Sequence, residues 1–165
     1  MKAFLRRVRK GKWDRDAPPL RHRDDFIRRP GDTDGLSLFE VESSDPQTWT
    51  DVVAAIALDG RDDRRIDLLR IDEDDLQSFT SPAPSQGGCC VESVNQAHRA
   101  LDWEQAHLHD LADHLRRVGR QPLSFSTPKI RAVLLSFDTA RITDPDAVGW
   151  LAACRPKWSA APPQA

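Results

Sequence analysis

The stretch LSLFEVESSDPQTWTDVVAAIALDGRDDRRIDLLRI, residues 36–71, contains the clearest succession of secondary-structure signals in the chain. Its first part, LSLFEVE (36–42), has apolar side chains on both faces, which predicts a buried strand. Its last part, RRIDLLRI (64–71), predicts a second strand and runs into the acidic turn DEDD. If the segment between them is a crossover helix, the two strands are parallel.

The segment between these strands carries a helix start and a helix stop. Asp45 is a suitable cap, and Pro46 suits the first helical position. Apolar side chains then recur at spacings of three and four residues until Gly60, which can end the helix. We therefore predict a helix over about 46–58.

Further along the chain, the sequence predicts two more helices and a strand. Apolar residues fall on one broad stripe between Val91 and Val118, which predicts one long helix over about 91–118. KIRAVLLSF (129–137) reads as a strand that is apolar on both faces, and a second Asp-Pro start predicts a helix over about 145–153. AFLRRV (3–8) is compatible with a strand or a short helix.

These elements predict an α+β (or α/β) fold. We expect a two-layer arrangement in which the long helix and two shorter helices pack on a small mixed sheet of about 3–5 strands. We expect one globular domain over 1–155, with a polar, loop-rich segment over about 10–35 that includes the turn GDTDG. The alanine- and proline-rich end, 156–165, is expected to be a disordered tail.

Composition narrows the class of protein. The chain has 165 residues, of which 39% are hydrophobic and 30% are charged, as is typical of a globular protein. No apolar run approaches the ~18 residues that a membrane span requires, and the cationic start is not followed by an apolar signal region. Three cysteines do not form a disulfide framework. We expect a cytoplasmic protein with no membrane partner.

Charge is strongly segregated along the chain. Residues 1–30, the N-terminal basic segment, hold 11 Lys or Arg against 4 Asp or Glu. Residues 31–79, the acidic middle segment, hold 4 against 14. Two interpretations follow: either each segment meets an oppositely charged partner, or the two segments face each other in the fold and partly cancel.

The stretch EQAHLHDLADHL (104–115) is the candidate metal site. On a helical wheel His107, Asp110 and His114 share one flank, so they can offer ligands to a divalent metal. A fourth ligand would have to come from a cysteine, from His22 or from the acidic turn. The alternative is that this flank is the solvated border of a core-packing helix, and we therefore expect no cofactor beyond such a metal.

A second candidate site is SQGGCCVES (85–93), where Cys90 precedes a predicted helix. A thiol at a helix N-terminus has a lowered pKa, which makes Cys90 a candidate nucleophile. The stretch resembles the start of papain-like proteases, in which a glutamine and glycine precede a helix-opening cysteine. The spacing departs from that family's pattern, and no histidine follows His114. The structural alternative is an ordinary buried cysteine.

A third candidate is PLRHRDDFIRRP (19–30), in which Arg21 and His22 suit phosphate or pyrophosphate binding. Its Leu-Arg-His-Arg run resembles a fragment of RNA 2′-phosphotransferases, which use NAD and share the ADP-ribosyltransferase fold. SFSTP (124–128) is similar to the Ser-Thr-Ser strand of toxin-type ADP-ribosyltransferases. The downstream catalytic glutamate of those toxins is missing, because Glu104 is the last glutamate of the chain.

The N-terminus, MKAFLRRVRKGKW, is the candidate nucleic-acid interface. It combines basic residues with two aromatic residues, Phe4 and Trp13, that can stack on bases. The candidate phosphate-binding residues of the whole basic segment are Arg6, Arg7, Arg9, Lys10, Lys12, Arg21 and Arg23.

Taken together, the sequence lacks a complete catalytic set. Our leading hypothesis is a non-enzymatic binding or accessory protein of bacterial type that contacts a protein partner through oppositely charged surfaces. The first alternative is a small enzyme, either metal-dependent or handling a nucleotide of the NAD or ADP-ribose kind. The second alternative is a nucleic-acid-binding protein that uses the N-terminal basic segment.

Overall fold

A computed structural model of the chain describes residues 2–27, 36–42, 46–77, 79, 81–85 and 87–160. These residues form an α+β fold around one six-stranded sheet, in which every pair of neighbouring strands is antiparallel. The strands are β1 (Lys2–Val8), β2 (Leu36–Glu42), β3 (Ile66–Asp72), β4 (Ala83–Pro84), β5 (His98–Leu101) and β6 (Leu123–Phe125), in the spatial order β4-β5-β2-β1-β3-β6. The α+β class is confirmed, and the sheet has more strands than the predicted three to five.

The stretch 36–71 forms a strand, a helix and a strand, as predicted. β2 leads into helix α1 (Pro46–Gly60), which leads into β3. Both strands pair antiparallel with β1, so they are parallel to each other with β1 between them. The predicted cap at Asp45 and the turn at 31–35 lie outside the described residues.

The sheet is covered on both faces, which corrects the expected two-layer arrangement to three layers. Successive residues of β1 show why, because Ala3 and Leu5 face one core while Phe4 and Val8 face the other. The first core is covered by four helices: α1, α2 (Glu92–Gln96), α4 (Thr127–Ser136) and α5 (Pro145–Ser159). The second is covered by α3 (Gln105–Arg117) together with Trp13 and Phe26.

The predicted long helix over 91–118 is wrong. The chain instead forms the short helix α2, the strand β5 and then α3. The apolar stripe on the wheel serves two separate cores, because Val94 packs on one face of the sheet and Leu108 on the other. Between them β5 pairs with β2, and Leu101 lies opposite Leu36. Hydrogen bonding to the edge of β2 thus overrides the helical preference of residues 98–101.

The predicted strand over 129–137 is also wrong, because this segment forms α4. Pro128 lies in the first turn of that helix, where proline is well tolerated. Ile130, Leu134 and Phe137 recur at spacings of four and three and are buried in the first core, whereas Leu135 is 39% exposed. Its apolar spacing therefore has the helical period.

Shorter elements complete the fold. The loop-rich segment contains 3-10 helices at Lys10–Lys12 and Arg21–Phe26, and the acidic turn forms another at Glu73–Leu76. A fourth lies at Thr139–Arg141. Helix α5 continues to Ser159, beyond the predicted end at 153 and into the expected tail. None of the described helices is long and apolar enough to cross a bilayer.

Candidate functional site: a basic cleft at the end of the sheet

The turn that follows β1, which we call the basic turn (Arg9–Trp13), is fixed to the fold by two carboxylates. The backbone N–H of Arg9 donates to Asp25 Oδ2 and that of Lys10 to Asp67 Oδ2, both at 3.1 Å. The Trp13 indole Nε1 also donates to Asp25 Oδ2 at 3.1 Å. Trp13 is only 1% exposed, so it anchors the turn in the second core. The basic turn is therefore held from the 3-10 helix 21–26, from β3 and from the core.

A cleft with a volume of about 920 Å³ surrounds this turn, and we call it the basic cleft. Basic side chains dominate its lining. They are Arg6, Arg7, Arg9, Lys10, Lys12 and Arg65. The carboxylates of the lining are Asp14, Asp24, Asp25 and Asp67. The cleft thus gathers five of the seven residues that the sequence predicted as phosphate-binding, and it adds Arg65.

Two of these predicted residues are directed into the fold. The Arg6 guanidinium donates to the backbone oxygens of Asp25 (3.0 and 3.1 Å) and Ser37 (2.9 Å). The Lys12 ammonium donates to Asp24 Oδ2 at 3.1 Å, and this hydrogen bond lowers the pKa of Asp24. Both cations stabilise the walls of the cleft, so neither is positioned to contact a partner first.

Three other predicted residues point outward. Arg7, Arg9 and Lys10 are exposed, and within the described part of the chain their side chains make no hydrogen bond and no ion pair. Arg21 is 60% exposed and lies 3.9 Å from Asp24, outside the lining of the cleft. The outward cations of the cleft are therefore consecutive or nearly consecutive residues on a fixed backbone.

The remaining predicted residues, His22 and Arg23, join the 21–26 segment to α3. Arg23 Nε donates to Asp113 Oδ1 at 2.9 Å, and the Arg23 guanidinium lowers the pKa of Asp113 to about 2. His22 is 5% exposed, and its Nε2 lies 2.7 Å from Asp113 Oδ1. Arg116 lies 3.1 Å from His22 Nδ1 and can only donate, so Nδ1 accepts and Nε2 carries the proton. Because both ring nitrogens are hydrogen-bonded to residues of α3, His22 has a structural role in joining the 21–26 segment to that helix.

Several carboxylates of the acidic middle segment are paired with arginines from the C-terminal half of the chain. Four arginines on or beside β5, α3, α4 and α5 pair with its carboxylates. The pairs are Glu40 with Arg99 (2.7 Å), Asp51 with Arg141 (2.5 Å), Asp63 with Arg131 (2.5 Å), and Asp72 and Asp75 with Arg120 (2.6 and 2.9 Å).

The two oppositely charged segments themselves are hardly paired. Among the described residues, the one side-chain ion pair between them joins Lys2 to Glu40 at 2.9 Å. Within the described ranges, direct ion pairing between the N-terminal basic segment and the acidic middle segment is thus limited to this contact, which favours the first interpretation of the charge pattern.

The structure does not assemble the candidate metal site. His107 and His114 lie seven residues apart on α3, a rise of about 10 Å, which is too far for one ion. His114 approaches Asp75 of the acidic turn at 3.5 Å, but the Arg120 guanidinium already binds that carboxylate. His107 and Asp110 are exposed. Within the described ranges, no group of three or more His, Cys, Asp and Glu side chains is arranged to hold a metal ion.

The cysteine candidate lies in a second, smaller cleft of about 430 Å³. Cys90 is 5% exposed; burial raises the pKa of its thiol, and the neighbouring Asp59 carboxylate raises it further. Burial likewise raises the pKa of Cys89 to about 11. Asn95 fixes the Cys89 backbone by donating to its oxygen (2.6 Å) and accepting from its N–H (2.8 Å). Both thiols are thus protonated near neutral pH, which is the opposite of what a nucleophile needs.

Sequence reasoning did not identify the carboxylates that hold the basic turn, Asp25 and Asp67, and it assigned the wrong role to Trp13. Asp67 and Arg65 reach the cleft because β3 pairs with β1, with Asp67 opposite Val8. No local pattern reveals that pairing. Trp13 was predicted to stack on bases but is buried, as is Phe4 at 6% exposure. The signal available in the sequence was Trp13 itself, because a large aromatic side chain is more often buried than exposed.

Comparison with known proteins gives no relative: no family model, no curated protein and no solved structure matches this chain.

Proposed function

We propose that this protein is a non-enzymatic binding protein that takes a polyanionic macromolecular partner in the basic cleft. One observation carries the proposal: Arg7, Arg9 and Lys10 point outward without side-chain partners among the described residues, on a turn that Asp25 and Asp67 hold in place. Cations on a pre-ordered backbone bind an anion with little loss of backbone entropy. Such a surface also accelerates association with an anionic partner.

The acidic middle segment supports this choice over a basic partner. Its carboxylates Glu40, Asp51 and Asp63 already accept hydrogen bonds or ion pairs from arginines of the same chain. A basic partner at these three carboxylates would have to displace these contacts, whereas an anionic partner meets Arg7, Arg9 and Lys10, whose side chains have no partner among the described residues. Our proposal therefore narrows the leading hypothesis of two charged docking surfaces to one, the basic cleft.

The environments of the candidate catalytic residues favour binding over catalysis. Both nitrogens of His22 are occupied by Asp113 and Arg116, and the Cys90 thiol is buried beside Asp59. A cytoplasmic location belongs to the same proposal and is supported by three free cysteines among the described residues.

Chromatography on a heparin column tests the proposal. The variant Arg9→Glu/Lys10→Glu is compared with Lys129→Glu/Lys157→Glu, which reverses two exposed lysines on α4 and α5 and changes the net charge equally. We expect the wild-type protein and the control to elute at similar salt concentrations and the cleft variant to elute much earlier. Equal shifts for the two variants would reject the cleft as the binding surface, and a wild-type protein that does not bind at low salt would reject the function.

A further inference from the structure

The aromatic residues of the N-terminal basic segment show which kind of polyanion the basic cleft can accept. Phe4 and Trp13 are 6% and 1% exposed, so neither can stack on a base. The described lining of the cleft contains no aromatic side chain. Proteins that bind single-stranded nucleic acid generally combine a basic groove with aromatic stacking of the unpaired bases. The cleft offers only the first of these two components.

The backbone around the basic turn arranges the outward cations in a row. Arg9 has extended dihedral angles (φ −109°, ψ 107°) and lies two residues after Arg7, so the two side chains leave the same side of the chain about 7 Å apart. Lys10 follows at the start of the 3-10 helix. Arg65, the residue before β3, also lines the cleft, but its guanidinium already donates to Asp67 Oδ1 (2.8 Å) and Ser124 Oγ (2.9 Å), so the row consists of Arg7, Arg9 and Lys10. A row of this kind fits successive phosphates along a polymer better than one isolated anion.

The cleft also lacks the side chains that usually read adenine. Asparagine and glutamine are absent from its described lining. Asp25 and Asp67 already accept the backbone N–H groups of Arg9 and Lys10, so they are committed to holding the turn. Arginine can read guanine, but Arg6 and Arg65 already donate to Ser37 and Asp67. We assign the outward Arg7 and Arg9 to phosphates because of their spacing along the turn.

We infer that the partner is duplex nucleic acid, bound through the phosphates of its backbone and without reading of base sequence. This inference rests on the proposed function and narrows it to one class of polyanion. A duplex stacks its bases inside and presents its phosphates outside, so it requires no aromatic platform. Arg7, Arg9 and Lys10 contact the phosphates, while Arg6 and Lys12 position the walls through their bonds to Ser37 and Asp24.

Fluorescence anisotropy with labelled oligonucleotides tests the inference on the full chain. The probes are two short duplexes of unrelated sequence and one of their single strands, each titrated from about 50 to 200 mM salt. Three phosphate contacts predict a slope of log affinity against log salt of about −2.7, a loss of about 40-fold over this range. The variant Arg9→Gln/Lys10→Gln should retain a slope of about −0.9, whereas Lys129→Gln/Lys157→Gln should retain the wild-type slope.

The outcomes separate this inference from the function on which it rests. We expect the two duplexes to bind with affinities that agree within about threefold and the single strand to bind at least about fivefold more weakly. A single strand that binds as tightly as the duplex, or a clear preference for one duplex sequence, would overturn the inference. If an acidic protein such as polyglutamate binds through Arg9 and Lys10 while no oligonucleotide does, the duplex inference fails and the polyanion function stands. If nothing binds, both fail.

Discussion

The N-terminal basic segment and the acidic middle segment have similar net charge per residue, of opposite sign, but their side chains are paired to different extents in the fold. Carboxylates of the acidic segment are bound by arginines from the C-terminal half, such as Arg120 and Arg131. The basic segment keeps Arg7, Arg9 and Lys10 outside, while it uses Lys12 internally. Charge counted along a chain therefore does not give the charge that a partner meets, because topology decides which side chains are neutralised.

The largest expected effect on stability comes from removing Trp13, which anchors the basic turn in the second core. Trp13→Ala empties a site that is 1% exposed in the second core and removes the hydrogen bond to Asp25. We expect the free energy of unfolding to fall by about 3–5 kcal/mol, measured by urea denaturation. The variant Trp13→Phe, which keeps most of the ring, should lose less. If Trp13→Ala were as stable as wild type, the turn would not be anchored by the core.

The next largest effect on stability is expected from removing Arg120, which pairs with carboxylates of the acidic middle segment. Arg120→Ala leaves Asp75, whose side chain is only 7% exposed, without its guanidinium, whereas Asp72 keeps its ion pair with Arg70. We expect a loss of about 2–3 kcal/mol, because an unpaired buried carboxylate is costly. The nearby exposed Arg117 is the control, and Arg117→Ala should change stability by no more than about 0.5 kcal/mol. Equal losses would show that neutralisation of the acidic segment contributes little.

A smaller effect, with a defined pH dependence, is expected at the tie between the 21–26 segment and α3. The folded pKa of Asp113 is lowered to about 2 by Arg23, below the ~4 of an unfolded aspartate. Its contribution is therefore complete above about pH 4 and is lost as the pH falls toward 2. Asp113→Asn should cost about 1–2 kcal/mol at neutral pH.

Urea denaturation of wild type and Asp113→Asn across this pH range measures that contribution. The difference in stability between the two proteins should shrink as the pH falls from about 4 to 2. A difference that stayed constant over this range would contradict the assigned role of the Asp113 carboxylate.

The smallest effect on stability is expected at the outward cations. Arg9→Ala and Lys10→Ala should each change the free energy of unfolding by no more than about 0.5 kcal/mol, because neither side chain has a partner among the described residues. The matched internal variant, Lys12→Ala, loses the ion pair to Asp24 and should cost more than either. The reverse order would contradict the division of the cleft into outward and internal cations.

Local signals in the sequence predicted part of the fold well. Residues 36–71 gave β2, α1 and β3 because the strand patterns, the Pro46 start and the Gly60 end are all local. The segment 91–118 failed because β5 forms by pairing with β2, a contact between residues some sixty positions apart, such as Leu36 and Leu101. Helix α4 was predicted as a strand because the centre of 129–137 is apolar on both faces, a pattern that a helix buried on one side also shows.

The basic residues of the candidate site could be predicted from the sequence, but the carboxylates that hold the basic turn in place could not. Arg7, Arg9 and Lys10 were identified from charge alone. Their fixed backbone depends on Asp25 and Asp67, which are 16 and 57 residues away along the chain. The metal prediction at His107 and His114 rests on a helical wheel, which shows the angle around the axis and omits the rise of about 10 Å that separates the two residues along α3.

Lysine labelling followed by mass spectrometry tests the central claim most directly, since it reads the charge that a partner meets. In the free protein, Lys10 should react with an acylating reagent several-fold faster than Lys12, whose side chain is 17% exposed and paired with Asp24. Addition of duplex DNA at low salt should protect Lys10 and leave Lys157 unchanged. Equal reactivity of Lys10 and Lys12, or protection of Lys157 as strong as that of Lys10, would contradict the account.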